Sequence, residues 1–214
     1  MSEAIDAHGF QFADAAHQRE TAVAGMWAFL ATECLFFGPL FLAWVFSRQF
    51  NQPGFDFGAS QTNLTVGAIN TALLITSSFA YGVAHWSMGK GRRRLMFFAF
   101  GAAWLLGLAF IALKFGVEWP EDFHRGLFPG AAFSVPEPRR GGAALFFSFY
   151  FLSTAVHGAH LLIGLALLAW IIWRVSASPD AARTPVVVVG LYWSFVDMVW
   201  LILFPLIYLI GRGA

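Results

Sequence analysis

The chain has 214 residues, 58% hydrophobic and 12% charged, about half the charged share of an ordinary soluble domain. A formal net charge of +1 leaves no electrostatic footprint for nucleic acid. The single cysteine, Cys34, excludes an intrachain disulfide and any cysteine-cluster metal site.

Five apolar runs reach the roughly 20 residues that a helix needs to cross a bilayer core. They predict helices over about 22–47, 64–87, 95–117, 143–174 and 186–210. Open backbone cannot face lipid, and the alternation of an outer-membrane barrel is absent. The expected fold class is therefore all-α, a polytopic five-helix membrane bundle over 22–214, preceded by a cytoplasmic segment at 1–21. That segment is acidic and has no apolar core, so it does not read as a secretory signal. The first helix is expected to act as its own uncleaved insertion signal.

The first helix carries Glu33 and Pro39. In the second, Asn70, Thr71, Thr76, Ser77 and Ser78 with Gly67 and Gly82 suit close helix packing, and His85 falls near the cytoplasmic end. The next loop holds Lys90, Arg92, Arg93 and Arg94. The positive-inside rule makes it cytoplasmic, which puts the N-terminus inside and the C-terminus outside.

The third helix ends at Glu118, where a carboxyl is expected to reach water and to be structural. Pro120, Pro129, Pro136 and Pro138 make 118–142 an irregular extended segment rather than a sixth helix. The fourth run exceeds one crossing, so its helix is tilted or projects beyond the membrane; it carries His157 and His160. The fifth carries Tyr192, Trp193, Asp197, Trp200 and Pro205. Pro39 and Pro205 should kink their helices. Trp27, Trp44, Trp86, Trp119 and Trp173 lie near run ends, as interfacial anchors do.

Glu33, His157, His160 and Asp197 are ionisable groups deep within apolar spans. A charge at the bilayer centre costs roughly 2.5–3.5 kcal/mol on insertion scales, so such groups face protein or water and have partners. Glu33 and Asp197 both lie roughly 16 Å from the cytoplasmic end of their helices, and the two histidines roughly 20–24 Å. Matched depth predicts one cluster joining the first, fourth and fifth helices, with Glu33 bonded to a histidine. A protonated carboxyl or a polar clasp between helices is the plainer alternative for each acid. For the histidines, structural hydrogen bonding is favoured over metal or haem ligation, because no third ligand or facing histidine lies nearby.

In order along the chain, these segments resemble subunit III of the haem–copper oxidases, the cytochrome c oxidase type. GMWAFLATECLFFGPLFLAW resembles the family's segment around a membrane-embedded glutamate, here Glu33. INTALLITSSFAYGVAHW carries over Asn70, Thr71 and His85, and KFGVEWP ends its match on Glu118. FFSFYFLSTAVHGAHLLIG resembles F-x-x-T-x-x-H-G-x-H, mapped to Thr154, His157, Gly158 and His160. LYWSFVDMVWLILFPLIYL resembles the C-terminal helix, with Tyr192, Trp193, Phe195, Asp197 and Trp200 in register.

Three departures stand out. Longer family members have two further helices at the start. Ser194 occupies a position that is usually histidine, and a glutamate of many relatives falls in the apolar run around Val187.

The resemblance implies a non-catalytic core subunit with no catalytic or metal-ligating residue and no cofactor of its own. Haems and copper would lie in partner subunits I and II, with a small subunit IV as a further partner. Bound phospholipid is implied in a cleft whose other wall another chain supplies, or which stands open. Asn70, His85, Tyr192, Trp193 and Trp200 would line that cleft or pack the helices, and Glu33 would be its protonatable carboxyl. The implied location is a bacterial inner membrane. Three alternatives stay open: a quinol-oxidising relative, an accessory protein of nitric oxide reductase, and, remotely, a proton-coupled transporter. The nitric oxide reductase relatives tend to carry Asp where this chain has Glu33. A transporter would show internal repeats and broken helices.

Overall fold

The computed structural model describes residues 15–179 and 181–211. Most of the expected N-terminal segment, 1–14, lies outside the described residues, as does 212–214 at the C-terminus. The described residues form six α-helices in order: α1 Ala15–Gln61, α2 Leu64–Gly89, α3 Arg93–Leu113, α4 Trp119–His124, α5 Arg140–Ala177 and α6 Arg183–Phe204. Among the described residues, five helical segments are long and apolar enough to cross a membrane, α3 and α4 counting as one.

The irregularities inside the helices lie close to prolines. Pro53 removes a backbone donor and crowds the carbonyl four residues back. The break in α1 accordingly falls at Asn51 (φ −130°, ψ 30°), not at Pro39 as expected. Beyond it, α1 continues to Gln61 as a brace across the start of α5. There Gly54 approaches Gly142 so closely that a Cβ would lie 2.5 Å from the Gly142 Cα. Next to Pro120 and Pro205 the ladder widens instead. The N–H of Trp119 reaches the carbonyl of Lys114, and that of Ile210 reaches Pro205, giving π-helical turns at Lys114–Glu118 and Pro205–Leu209.

The first of these turns lets α3 run on into α4, so the expected extended segment begins with a short helix. Only 125–139 is irregular, and rings tie it down: Phe128 lies 5.2 Å from Phe151 and Phe133 6.2 Å from Phe147.

Helices α2 and α3 pack against each other, and the buried positions of α2 recur at steps of three and four: Gly67, Asn70, Leu74, Ser77, Tyr81 and Ala84. The Ser77 hydroxyl donates to the Ala103 carbonyl at 2.9 Å. Helix α6 touches α1, α2 and α5, and α5 also touches α1 and α3. Of the spans, α6 is the most buried within the fold and α1 the least. Trp86 and Trp173 are exposed near helix ends and Trp27 is exposed well inside α1, but Trp44 is buried against Phe55, 5.5 Å between rings.

Candidate functional site: ionisable groups inside the bundle

Helix α5 turns His160 toward Glu33 on α1. The imidazole Nε2 lies 3.0 Å from Glu33 Oε2, and Nδ1 lies 2.8 Å from the Val156 carbonyl oxygen. A carbonyl only accepts, so Nδ1 carries a hydrogen. One proton then lies on the line between Nε2 and the carboxyl, held as a carboxylic acid donating to imidazole or as an imidazolium donating to carboxylate. The two side chains are 18% and 16% exposed, so the pair is largely withdrawn from its surroundings yet reachable from one side. Phe36 and Phe37 flank the imidazole, with rings at 6.2 and 5.2 Å. The Tyr192 hydroxyl donates to the His160 backbone carbonyl at 2.9 Å, which ties α6 to the same turn.

The other two expected members do not join them. Asp197 accepts from the Ser78 hydroxyl of α2. His157 is 1% exposed, its imidazole between Phe110 and Trp200 at 5.5 and 5.2 Å. The single four-residue cluster is therefore corrected to one bonded pair and two separate groups. Three residues advance an α-helix by about 300°, so His157 and His160 diverge by about 60°. That turns His157 into the α3–α6 contact while His160 meets α1.

Among the expected packing residues, Trp200 Nε1 donates to Thr71 Oγ1 at 3.0 Å. Trp193 fills the space left by Gly107 and Gly164. Asn70 is fully buried and His85 is exposed. Gly158 admits Phe115, whose Cζ would lie 2.4 Å from a Cβ there.

A second constellation, which the sequence reading does not contain, lies at the end of α3. Lys114, Glu118 and Asp122 are 0%, 1% and 3% exposed. Glu118, expected to reach water, is instead enclosed by Lys114, Tyr150 of α5 and Tyr208 of the final π-turn. Lys114 Nζ lies 3.0 Å from Glu118 Oε2. It also donates to the hydroxyls of Tyr150 at 3.0 Å and Tyr208 at 2.7 Å. Tyr208 donates to Glu118 Oε1 at 2.6 Å. The Tyr150 oxygen lies 2.7 Å from Asp122 Oδ2 and 3.1 Å from Glu118 Oε1. The Lys114 ammonium also sits 4.3 Å from the Tyr150 ring centre and 5.8 Å from that of Trp200, so aromatic faces replace part of its hydration. The four-residue spacing of Lys114, Glu118 and Asp122, which puts them on one helical stripe, was the available signal. Among the described residues, no group of three or more His, Cys, Asp or Glu side chains is placed to hold a metal ion.

A family model described as cytochrome c oxidase subunit III matches residues 7–212. The chain belongs to that family. Subunit 3 of the cytochrome c oxidase of Thermostichus vulcanus is 30% identical over 224 residues, covering 99% of this chain and all of the relative. Subunit 3 of the cytochrome bo(3) ubiquinol oxidase of Pseudomonas putida is 29% identical over 195 residues, 90% of this chain and 87% of the relative. A haem–copper oxidase subunit I+III of Aeropyrum pernix is 28% identical over 199 residues, 87% of this chain but 22% of that longer protein. As a subunit III chain, it joins respiratory electron transport through a haem–copper oxidase. Its α1, α2, α5 and α6 carry the Glu33, Asn70, His157–His160 and Asp197 positions on which the sequence resemblance rested.

Proposed function

We propose that this chain is the non-catalytic subunit III of a cytochrome c-fed terminal oxidase, packed against the catalytic haem–copper subunit I beside subunit II, with a small subunit IV as a further neighbour. The full-length match to the subunit III family carries this reading. The name of the Aeropyrum pernix relative, joining subunits I and III, supports the subunit I partner. Haems and copper belong to the partners, and oxygen reduction and proton translocation are work of the assembled complex.

In this reading the membrane is a bacterial inner membrane. The cluster Lys90, Arg92, Arg93 and Arg94 lies on the cytoplasmic side, with the N-terminus, and the C-terminus is periplasmic. The low burial of α1 supports contact with phospholipid or a neighbouring subunit along its outer face, where Leu35, Leu42 and Phe46 are exposed. Glu33, set into that helix and bonded to His160, would be the protonatable group at the lipid-facing side. Tyr192, Trp193, Trp200 and Asn70 would hold the bundle behind it, with His157 and Asp197 locking α5 to α3 and α6 to α2.

Purification of the tagged chain in mild detergent tests the assignment. Haem- and copper-containing partners should co-purify, and recovery of the chain alone would refute it. The electron donor is a separate question. The ubiquinol oxidase relative is nearly as similar as the cytochrome c oxidase relative, which favours quinol as the second reading. Oxygen uptake by the purified complex with reduced cytochrome c, compared with ubiquinol, decides between them.

A further inference from the structure

The buried network at the end of α3 does not balance as ionised groups. Lys114 supplies one positive charge, Glu118 and Asp122 two negative ones, and all three are at most 3% exposed. Leaving a net charge in such a place is strongly unfavourable. The groups facing them are Tyr150 from α5, Tyr208 from the final π-turn and His157 from the next turns of α5. Arg125 is the remaining charge near Asp122, but its exposed guanidinium is engaged with Gln61, through the backbone oxygen at 2.9 Å and Oε1 at 2.7 Å.

Hydrogen counting reaches the same result independently. Two ammonium hydrogens of Lys114 go to Tyr150 and Tyr208, and Glu118 Oε2 faces the ammonium at 3.0 Å as an ion pair. The Tyr208 hydrogen goes to Glu118 Oε1. Tyr150 has one hydroxyl hydrogen, yet its oxygen is within bonding distance of a carboxyl oxygen on each acid. It donates to one, so the other contact holds only if that carboxyl brings a hydrogen of its own.

We infer that Glu118 and Asp122 together hold one proton across the Tyr150 hydroxyl, making this network a proton-binding site within the helix bundle. In one form Asp122 Oδ2–H donates to Tyr150, Tyr150 donates to Glu118 Oε1, and the Glu118 carboxylate pairs with Lys114. Transfer of the Asp122 hydrogen to the Tyr150 oxygen, as the Tyr150 hydrogen passes to Glu118 Oε1, gives the second form. The tyrosine is unchanged and the network stays neutral.

Infrared difference spectroscopy of membranes carrying the full-length chain tests this through the carbonyl stretch of a protonated carboxyl. Glu118→Gln and Asp122→Asn should each remove the same one-proton band, because the remaining carboxylate then pairs with Lys114. Lys114→Met should double it, because both acids must then be neutral. Persistence of the band in either acid variant, or no gain in Lys114→Met, would overturn the inference. Tyr150→Phe keeps every charge, so it should keep the band's intensity and shift its position. An unshifted band there would also overturn it, even if the charge-altering chains fail to accumulate.

Discussion

The Glu33–His160 pair should couple α1 to α5 by a measurable amount. Hydrogen bonds between membrane helices average about 0.6 kcal/mol in double-mutant cycles and reach about 1.7. This pair should lie at the upper end for two reasons. Its proton lies between an acid and a base that can both be charged, and hydrogen bonds to charged groups contribute about 1.5–3 kcal/mol. Each partner is also less than one-fifth exposed, so competition from surrounding water is weak. The expected interaction energy between Glu33→Ala and His160→Ala is therefore about 1–2 kcal/mol. The assay is unfolding of the purified chain by increasing dodecyl sulfate in mixed micelles, followed by the fluorescence of its nine tryptophans. Glu33→Gln can still donate an amide hydrogen to Nε2 and should behave closer to the parent chain than Glu33→Ala. Strictly additive single substitutions, with coupling below about 0.3 kcal/mol, would refute the reasoning.

Other outcomes follow from the same geometry. Gly54→Ala should destabilise by about 1–3 kcal/mol in that assay, since its Cβ meets the backbone of Gly142 and Ala143, which cannot rotate away. Gly38→Ala, with nothing within 4 Å, should change stability by less than about 0.5 kcal/mol. Tyr208→Phe removes the acceptor for Lys114 and a donor to Glu118, and should lower stability by about 1–3 kcal/mol. Ser78→Ala should cost about 1–2 kcal/mol by taking the donor from buried Asp197, and Ser78→Thr should recover most of it.

The five spans and the Glu33–histidine contact were legible because they depend on run length and depth, which one residue of error does not change. Which histidine meets Glu33 depends on rotation about α5, and a step of three residues does not fix that. The Lys114 network was hidden for another reason. Lys114 and Glu118 stand at the end of an apolar run, where charged residues usually mark the water interface. Their burial depends on the π-turn beside Pro120 and on Tyr150 and Tyr208, distant in sequence, arriving on two other helices. The kink in α1 likewise falls beside Pro53 and not at Pro39. Pro39 is accommodated within the helix, whereas Pro53 precedes a glycine that is drawn against α5.

The rings that hold 125–139 against α5 have a kinetic consequence. Phe123 and Phe128 clasp Phe151, and Phe133 lies against Phe147 next to Tyr150, so these contacts pack over the stretch of α5 that carries the partner of buried Asp122. Hydrogens in the network can then be replaced by deuterium only as often as that clasp lets go. Their exchange would record the opening frequency of the aromatic cover, on the timescale of local unfolding, and not the speed of proton hops inside it.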